Sequence, residues 1–350
     1  MIPVEGRNLL ASQLMGAHAL IVRSITRVDA ALLEHTDIRF VGTTTIGTDH
    51  IDTKWLDQQG IQWASAPGCN ADSAAQYTLA MLLLAQRRLG IDLLPGTAGI
   101  VGRGNVGSRL IRLLQLLGVS EIVACDPPLA DRGESGLVAM DTIVRCGIVS
   151  LHVPLSDTGS YATRHLIDAD FLDRLPPGCL LLNSSRGDVI DGRALSHWLQ
   201  AGRGFAALDV WPGEPQLVTD LVQQTTIATP HVAGYSLDGK LRGTHMIYAA
   251  FCRWLGIAAE AVDFHSRLGR MKTLSVPAAS TPAQAILAAC PVERDDGWTR
   301  ALCRLETSAI ATAFDALRRE YPERRDFAGW VLGDDLPKNN SLLLRTLGFH

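Results

Sequence analysis

The sequence predicts an α/β protein in which parallel sheets are covered by helices on both faces. Its apolar runs are short and continuous, not alternating, which indicates strands buried on both sides. Helix-length segments separate these runs, and this alternation is typical of a doubly wound α/β fold. The chain has 350 residues, which is too long for one ordinary core and predicts two or three domains.

The candidate elements follow one another along the chain. The predicted strands are residues 18–24, 38–43, 97–102, 121–126, 148–154, 179–185, 205–210 and 226–232. The clearest helical stretches between them are residues 72–89 and 106–118. From about residue 256 the chain becomes Ala-rich and Pro-punctuated, with a helical run near 307–320. We therefore expect a third, smaller α/β module at this end.

The composition excludes several classes of protein. Hydrophobic residues make up 47% and charged residues 19%, with a formal net charge of −4, which suits a soluble globular protein. Basic residues form no stripe, so we expect no nucleic-acid partner. No apolar run is long enough to span a bilayer, and the opening MIPVEGRNLL does not resemble a secretory signal. These features predict no membrane partner and a cytoplasmic location.

Seven cysteines are scattered without any CxxC pair. An odd count with this spacing fits neither a zinc site nor a disulfide framework. The sequence therefore predicts reduced thiols and no bound metal.

A glycine-rich loop follows the strand predicted at 97–102. Gly102, Gly104 and Gly107 have the G-x-G-x-x-G spacing, with an amphipathic helix after them. The first glycine allows the tight turn, the second admits a pyrophosphate, and the third permits close helix–strand packing. The unpaired N–H groups of the helix N-terminus favour the phosphates. The candidate cofactor-binding residues here are Gly102, Arg103, Gly104, Asn105, Val106 and Gly107, although Arg103 also fits an exposed loop position.

Asp126 ends the next strand, about 20 residues beyond the glycine loop. An acidic side chain at this position accepts hydrogen bonds from the adenosine ribose hydroxyls and repels a 2′-phosphate. The sequence therefore predicts NAD, not NADP, as the cofactor. The alternative is a tight turn followed by an ordinary loop aspartate.

Three further stretches lie at predicted carboxyl ends of strands, where ligands of open α/β sheets bind. They supply Arg186, Glu214 and His231. Oxidation of a 2-hydroxy acid needs a cation for the carboxylate, a base for the hydroxyl proton, and a carboxylate that orients the base. Each residue also has an ordinary explanation: a surface ion pair, a loop charge and a structural histidine. Three such coincidences at three strand ends are less probable than one site.

Several motifs now point to a family. The chain resembles the D-isomer-specific 2-hydroxyacid dehydrogenases, which carry an Arg, a Glu and a His on motifs of this type. The resemblance extends into the tail, through RDD (294–296) and FDALRREYPERRDF (314–327). The other stretches that carry it are LIVRSITRVD (20–29), FVGTTTIGTDHID (40–52), SAPGCNA (65–71), CDPPLADRG (125–133), LDVWPGEP (208–215) and PHVAGYSLDGKLRGT (230–244).

The resemblance implies a role for each matching residue. His231 would be the general acid/base, Glu214 its partner and Arg186 the ligand of the substrate carboxylate. The implied substrate-binding residues are Ser24, Thr45 and Tyr235. The implied cofactor-contacting residues outside the glycine loop are Asp126, Val153, Ser184, Ser185, Asp209 and Gly234. Simpler alternatives are that Ser24 ends a strand, Thr45 caps a turn and Asp209 pairs locally.

The implied activity is NAD-dependent oxidation of a phosphorylated 2-hydroxy acid, 4-phospho-D-erythronate, at C2, as a step of vitamin B6 synthesis. Arg23, Lys240 and Arg242 are basic residues near the motifs and are candidates for the substrate phosphate. Two alternatives remain open. One is a related substrate, either 3-phosphoglycerate or a hydroxypyruvate/glyoxylate pair; the other is an NAD(H)-sensing interaction protein that retains the fold.

The resemblance also implies two doubly wound Rossmann-like domains with parallel sheets, plus a small C-terminal α/β dimerisation domain and hence a homodimer. The expected boundaries are 1–75 for the first part of the substrate domain, 76–235 for the NAD-binding domain, 236–255 for a return segment and 256–350 for the dimerisation domain. Members of the family usually begin with a further strand and helix. We expect that these two elements of the substrate domain are missing here and that the natural chain starts upstream.

Overall fold

The computed structural model of the protein describes residues 2–4, 6, 8–261, 263, 267–277, 280–334 and 336–350. The chain divides into two compact units, one of residues 1–70 and 237–270 and the other of residues 71–236 and 271–350. Both contain parallel strands and helices, so the predicted α/β class is confirmed. The finer domain boundaries, including a separate C-terminal domain, stay a prediction.

The bounds of the elements are as follows. The strands are β1 (Ala19–Val22), β2 (Phe40–Thr43), β3 (Gln62–Ala64), β4 (Thr97–Val101), β5 (Glu121–Cys125), β6 (Ile148–Leu151), β7 (Cys179–Asn183), β8 (Gly204–Leu208), β9 (Ile227–Ala228), β10 (Lys272–Leu274) and β11 (Trp330–Leu332). The helices are α1 (Ala30–Leu33), α2 (Thr53–Gln58), α3 (Ala71–Leu89), α4 (Asn105–Leu116), α5 (Pro127–Ala130), α6 (Met140–Ile143), α7 (Ala169–Asp173), α8 (Gly192–Gln200), α9 (Thr219–Gln224), α10 (Leu237–Trp254), α11 (Pro282–Ala289), α12 (Val292–Leu302), α13 (Thr307–Arg319) and α14 (Lys338–Leu347).

The first unit is built on a three-stranded parallel sheet in the order β1-β2-β3. β2 is buried along its whole length, as its uninterrupted apolar sequence predicts. Helix α10 packs on β2, where the ring of Phe40 lies 5.5 Å from Phe251 and 5.4 Å from Trp254. The strand β3 was not predicted, because three partly exposed residues carry little apolar signal.

The second unit contains a six-stranded parallel sheet in the order β5-β4-β6-β7-β8-β9. Its strands are the predicted ones, and the interior strands β6 and β7 are fully buried. The two faces carry separate apolar clusters, one built around α3 and the other containing Trp198 and Phe314. The chain order reverses beside β4, and open sheets of this kind bind ligands outside the strand ends at such a point.

Residues 271–350 belong to the second unit and add the parallel pair β10 and β11. The helix predicted near 307–320 is α13, and the predicted helices at 72–89 and 106–118 are α3 and α4. β10 and β11 were not predicted, since each has three residues. The α/β character expected for this segment is therefore confirmed.

All seven cysteines are free thiols, and six of them are buried. Burial raises the pKa of Cys146 and of Cys290 to about 11. Across the ranges described above, the helices include none with the length and apolar character of a membrane span. The same residues contain no cluster of three His, Cys, Asp or Glu side chains placed to hold a metal ion.

Candidate active site

The three predicted catalytic residues follow the three neighbouring strands β7, β8 and β9. In the sheet register, Asn183 pairs with Leu208, which in turn pairs with Ala228. Backbone hydrogen bonds continue just past the strands, from Asp209 N to the Asn183 oxygen and from Thr229 N to the Leu208 oxygen, both at 2.9 Å. The loops that carry Arg186, Glu214 and His231 therefore leave the same edge of the sheet.

Glu214 and His231 form a direct contact between Oε1 and the imidazole Nδ1. The other carboxylate oxygen of Glu214 accepts a hydrogen bond from the Trp211 backbone N–H at 3.1 Å. Among the described residues, His231 makes its side-chain hydrogen bond through Nδ1 alone. Nε2 can therefore exchange a proton with a bound substrate while the carboxylate fixes the ring orientation.

The environment keeps Glu214 ionised. Burial opposes ionisation of the carboxyl, but the charge of the His231 imidazole and the hydrogen bond to it outweigh burial, so the pKa of Glu214 lies below its ordinary value. A second histidine, His152, lies at the end of β6, and burial lowers its pKa to about 3. Because His152 is neutral throughout the physiological range, His231 is the better candidate for the proton carrier.

The backbone of His231 has φ of +56°, in the left-handed region that non-glycine residues rarely adopt. Such a conformation costs on the order of 1–3 kcal/mol and persists only where the surroundings enforce it. Asp209, which is 1% exposed, supplies one constraint. Its carboxylate accepts hydrogen bonds from the N–H groups of Val232 at 2.9 Å and Ala233 at 2.8 Å, and from the Thr229 hydroxyl at 2.6 Å.

The turn that presents Arg186 is held by the buried side chain of Asn183. Its amide oxygen accepts from Ser185 N at 3.0 Å, and its Nδ2 donates to the Arg186 oxygen at 2.9 Å. The next residue, Gly187, lies so close to Trp211 that a Cβ would stand 2.0 Å from the tryptophan backbone. Only glycine fits there, and the close approach brings the Arg186 turn against the segment that leads to Glu214.

The glycine loop has the geometry that a dinucleotide requires. Gly102 has φ of +92°, and a Cβ on Gly107 would stand 2.0 Å from the Gly102 oxygen. A Cβ on Gly104 would meet nothing within 4 Å, so the open side of the loop lies at the middle glycine. Helix α4 starts at Asn105, and its first N–H groups lie at this opening. The loop therefore fits the pyrophosphate of NAD.

Asp126 and Arg103 connect the loop to the next strand. Asp126 accepts a hydrogen bond from Arg103 N at 2.8 Å and caps α5 through Leu129 N at 3.2 Å. The Arg103 guanidinium is turned toward residues 134–135, donating to the Ser135 oxygen at 3.0 Å and pairing with Glu134. Arg103 thus braces a neighbouring loop in this structure.

The remaining predicted cofactor residues lie in the second unit around these loops. Val153 lies beside Gly102, and its Cγ1 would be 3.0 Å from a Cβ there. Ser184 is hydrogen-bonded to the Thr78 hydroxyl at 2.7 Å, and Ser185 is buried. Gly234 is half-buried in the turn after His231. Whether each of them contacts the cofactor stays a prediction.

The predicted substrate residues are distributed over both units. In the first unit, Ser24 is exposed just after β1, and the Thr45 hydroxyl bonds to the Thr43 hydroxyl at 2.7 Å and the Gly47 oxygen at 3.0 Å. In the second unit, the ring of Tyr235 lies 6.1 Å from Tyr321 and 5.8 Å from the Arg318 guanidinium. Their role in substrate binding stays a prediction.

Sequence reasoning missed the residues that hold this site in place. Trp211 is buried and donates from its indole nitrogen to the Thr229 oxygen at 2.9 Å, which ties the β8 loop to the β9 loop. Asn183 binds the backbone of the loop after β7, and Arg324 binds the backbone of the loop after β9. Burial decides these roles, and a single sequence offers no pattern for burial of a lone polar side chain.

Known proteins resemble this chain over most of its length. The family profile described as "D-isomer specific 2-hydroxyacid dehydrogenase, NAD binding domain" matches residues 75–233. Erythronate-4-phosphate dehydrogenase of Edwardsiella ictaluri is 45% identical over 358 residues, covering 100% of this chain and 93% of the relative. The protein of the same name from Azotobacter vinelandii is 45% identical over 355 residues, covering 99% and 93%.

Solved structures share the fold over a smaller part of the chain. D-lactate dehydrogenase from Aquifex aeolicus, complexed with NAD and lactic acid, has a TM-score of 0.61 and 23% identity, covering 71% of this chain and 86% of that one. The NAD⁺-bound 3-phosphoglycerate dehydrogenase of Entamoeba histolytica has a TM-score of 0.63 and 21% identity, covering 75% and 88%. At this level of identity the likeness shows the fold.

Proposed function

The chain belongs to the D-isomer-specific 2-hydroxyacid dehydrogenase family, and we propose that it oxidises 4-phospho-D-erythronate at C2 with NAD as the acceptor. The products are 2-oxo-3-hydroxy-4-phosphobutanoate, NADH and a proton. The reaction belongs to the synthesis of pyridoxal 5′-phosphate.

One observation carries the choice of substrate. Identity of 45% to proteins named erythronate-4-phosphate dehydrogenase extends over essentially the whole chain, including residues 271–350. The lactate and 3-phosphoglycerate dehydrogenase structures cover only 71% and 75% of it. The part of the chain that those two structures do not cover is therefore shared with the erythronate-4-phosphate enzymes.

The side chains of the candidate site support a separate role for each of three residues. The guanidinium of Arg186 binds the substrate carboxylate through its planar fork and polarises the C2 oxygen. His231 accepts the C2 hydroxyl proton at Nε2, and the ionised Glu214 on Nδ1 stabilises the imidazolium that forms. The bound NAD supplies the acceptor for the hydride that leaves C2. In the reverse direction His231 returns the proton.

Steady-state turnover tests the substrate. We expect kcat/KM for 4-phosphoerythronate to exceed that for 3-phosphoglycerate by at least about 100-fold, because a site built around one polar substrate rejects an analogue that leaves its groups unpaired. A preference for 3-phosphoglycerate, or for the hydroxypyruvate/glyoxylate pair, would assign the chain to one of those activities. NADH binding without turnover of any of these acids would favour the NAD(H)-sensing alternative.

Substitution of Asp126 tests the proposed preference for NAD over NADP. Replacing Asp126 by serine keeps a helix-capping oxygen. The change removes the charge that we propose faces the adenosine ribose. Because like charges placed side by side cost several kcal/mol, we expect the ratio of kcat/KM for NADP to that for NAD to rise by about 10- to 100-fold. Initial rates with each cofactor measure this ratio.

Glu134→Gln is the matched control, because it removes a carboxylate from the adjacent loop that pairs with Arg103 but does not cap α5. We expect the cofactor ratio of this control to stay at the wild-type value. An unchanged ratio in Asp126→Ser would remove Asp126 from cofactor selection.

We also propose a cytoplasmic homodimer, which the free, buried cysteines and the family support. Light scattering after size-exclusion chromatography measures the oligomeric state.

Arg23, Lys240 and Arg242 remain the proposed ligands of the substrate phosphate. Arg242 lies on α10, where its Nε donates to the Cys69 oxygen at 2.8 Å.

A further inference from the structure

The loop of residues 231–236, here called the histidine loop, is hydrogen-bonded on two sides to residues of the second unit. Asp209 binds the N–H groups of Val232 and Ala233, as described above. The carbonyl oxygens of the same two residues point to a different partner, the guanidinium of Arg324. The backbone just after His231 is therefore hydrogen-bonded through both its donors and its acceptors.

Arg324 lies in the C-terminal segment, far along the chain from the catalytic strands, and is 4% exposed. Its Nη2 donates to the Val232 oxygen at 3.1 Å and to the Ala233 oxygen, and its Nε donates to the Tyr235 oxygen at 3.1 Å. Three carbonyls of one short loop thus converge on one guanidinium. A planar fork with several fixed donors is suited to this task, whereas the three donors of a lysine ammonium all lie on one nitrogen and cannot span three separate carbonyls as well.

Neighbouring residues extend the attachment. The Asp326 carboxylate accepts a hydrogen bond from the Ser73 hydroxyl at 2.6 Å, and that hydroxyl also lies 2.6 Å from the Ser236 hydroxyl at the end of the histidine loop. The guanidinium of Arg324 lies 4.7 Å from the ring centre of Tyr77, whose position on α3 is itself buried. Arg324 is therefore held in place by packing as well as by the carbonyls.

We infer that Arg324 is a positioning residue for the proton transfer: by binding the carbonyls of Val232, Ala233 and Tyr235, it holds His231 in its left-handed backbone conformation with the ring on Glu214. Asp209 alone binds one side of a strained loop, and Arg324 completes the constraint. The C-terminal segment of the chain is thereby part of the apparatus that orients the base. This inference rests on the proposed role of His231.

Arg300 offers a matched comparison in the same segment. Its guanidinium also binds backbone carbonyls, those of Val222 at 3.0 Å and Thr225 at 2.7 Å, and it pairs with Asp296. None of these contacts is to the histidine loop. Replacement by lysine removes the same kind of interaction at both positions. Because the Arg300 side chain is 31% exposed and Arg324 is buried, thermal unfolding of both variants measures the general loss of stability separately.

The test compares Arg324→Lys with Arg300→Lys in the full-length protein. For Arg324→Lys we expect kcat to fall by about 10-fold or more, since displacement of a catalytic group by about 1 Å can cost 10²-fold. We expect KM for NAD to change little, and the deuterium isotope effect on kcat with C2-deuterated 4-phosphoerythronate to rise because transfer at C2 becomes slower. For Arg300→Lys we expect kcat and the isotope effect to stay near wild type.

Hydrogen–deuterium exchange gives a readout that does not need the reaction. We expect the amides of Val232 and Ala233 to exchange faster in Arg324→Lys than in the wild type or in Arg300→Lys. Wild-type kcat, isotope effect and exchange in Arg324→Lys, or equal losses in both variants, would overturn the inference. If the wild type shows no turnover, the proposed function fails and the exchange result decides the inference by itself.

If Arg324→Lys does not fold, Ser73→Ala provides a second test of how the histidine loop is held. This change removes a hydroxyl that links Asp326 to Ser236 and leaves the apolar core intact. We expect a smaller loss of kcat with the same increase in amide exchange across the histidine loop. Unchanged exchange in this loop would count against its attachment to the C-terminal segment.

Discussion

Replacement of His231 by alanine is expected to lower kcat by about 10²- to 10⁴-fold, the range over which a positioned general acid/base contributes to catalysis. The expectation follows from the contact between His231 Nδ1 and Glu214 and from the lowered pKa of that carboxyl. A carboxylate that stays ionised at neutral pH orients the ring and stabilises its protonated form. Steady-state kinetics with 4-phosphoerythronate and NAD measures the loss.

The control for this change is His197→Ala, which removes an exposed histidine from α8. We expect His197→Ala to turn over substrate at the wild-type rate. We also expect His231→Ala to bind NADH as the wild type does, since the glycine loop and Asp126 are untouched; fluorescence titration measures this binding. Wild-type turnover in His231→Ala would remove the residue from the mechanism and would make another base necessary.

Replacement of Gly107 by alanine is expected to destabilise the second unit by about 1–3 kcal/mol, the usual cost of overpacking, and to weaken NAD binding. The added Cβ would stand 2.0 Å from the Gly102 oxygen, and the obstacle is backbone, which cannot rotate away. Either α4 or the turn at Gly102 must shift, and both shifts redirect the N–H groups that we propose bind the pyrophosphate. Thermal unfolding and NADH titration measure the two effects.

Gly104→Ala separates the two effects, because a Cβ at this position meets nothing within 4 Å. We expect this variant to unfold at the wild-type temperature but to bind NAD more weakly, since we propose that the open side of the loop receives the pyrophosphate. The control is Gly147→Ala, because a Cβ on Gly147 also meets nothing within 4 Å and this residue lies just before β6, away from the glycine loop in the sequence. We expect this variant to match the wild type in both measurements. Wild-type NAD affinity in Gly104→Ala would contradict this placement of the pyrophosphate.

Much of the fold could be predicted because buried parallel strands leave a local pattern. The apolar runs at 97–102, 121–126 and 148–154 became β4, β5 and β6 with ends within a few residues of the prediction. The strands β3, β10 and β11 gave no such pattern, since each has three residues and is only partly buried. Short edge strands depend on pairing with distant segments, and such pairing leaves little trace in the local sequence.

The candidate site, like the fold, could be predicted from the sequence only in part. Arg186, Glu214 and His231 could be proposed because each follows a recognisable strand, and the structure places the three strands side by side. The contact between Glu214 and His231 could be expected from their chemistry. The hydrogen bonds from the loop after β9 to Asp209, and those that Asn183 makes in the Arg186 turn, could not be expected. Short polar side chains after strands are common, and their hydrogen bonds depend on burial.

By itself, the sequence determined the α/β class, the glycine loop, the acidic residue after it and the residue types that we propose for hydride and proton transfer. These features are local: they depend on the period of apolar residues, on the spacing of glycines and on the side chain that ends each strand. Only the tertiary structure decided how His231 is held. The attachment joins Val232, Ala233 and Tyr235 to Arg324, which is 89 to 92 positions away, and no local pattern encodes it. Such a contact exists because the fold buries the Arg324 guanidinium with the carbonyls of Val232 and Ala233, and a buried polar group without a hydrogen-bond partner is costly.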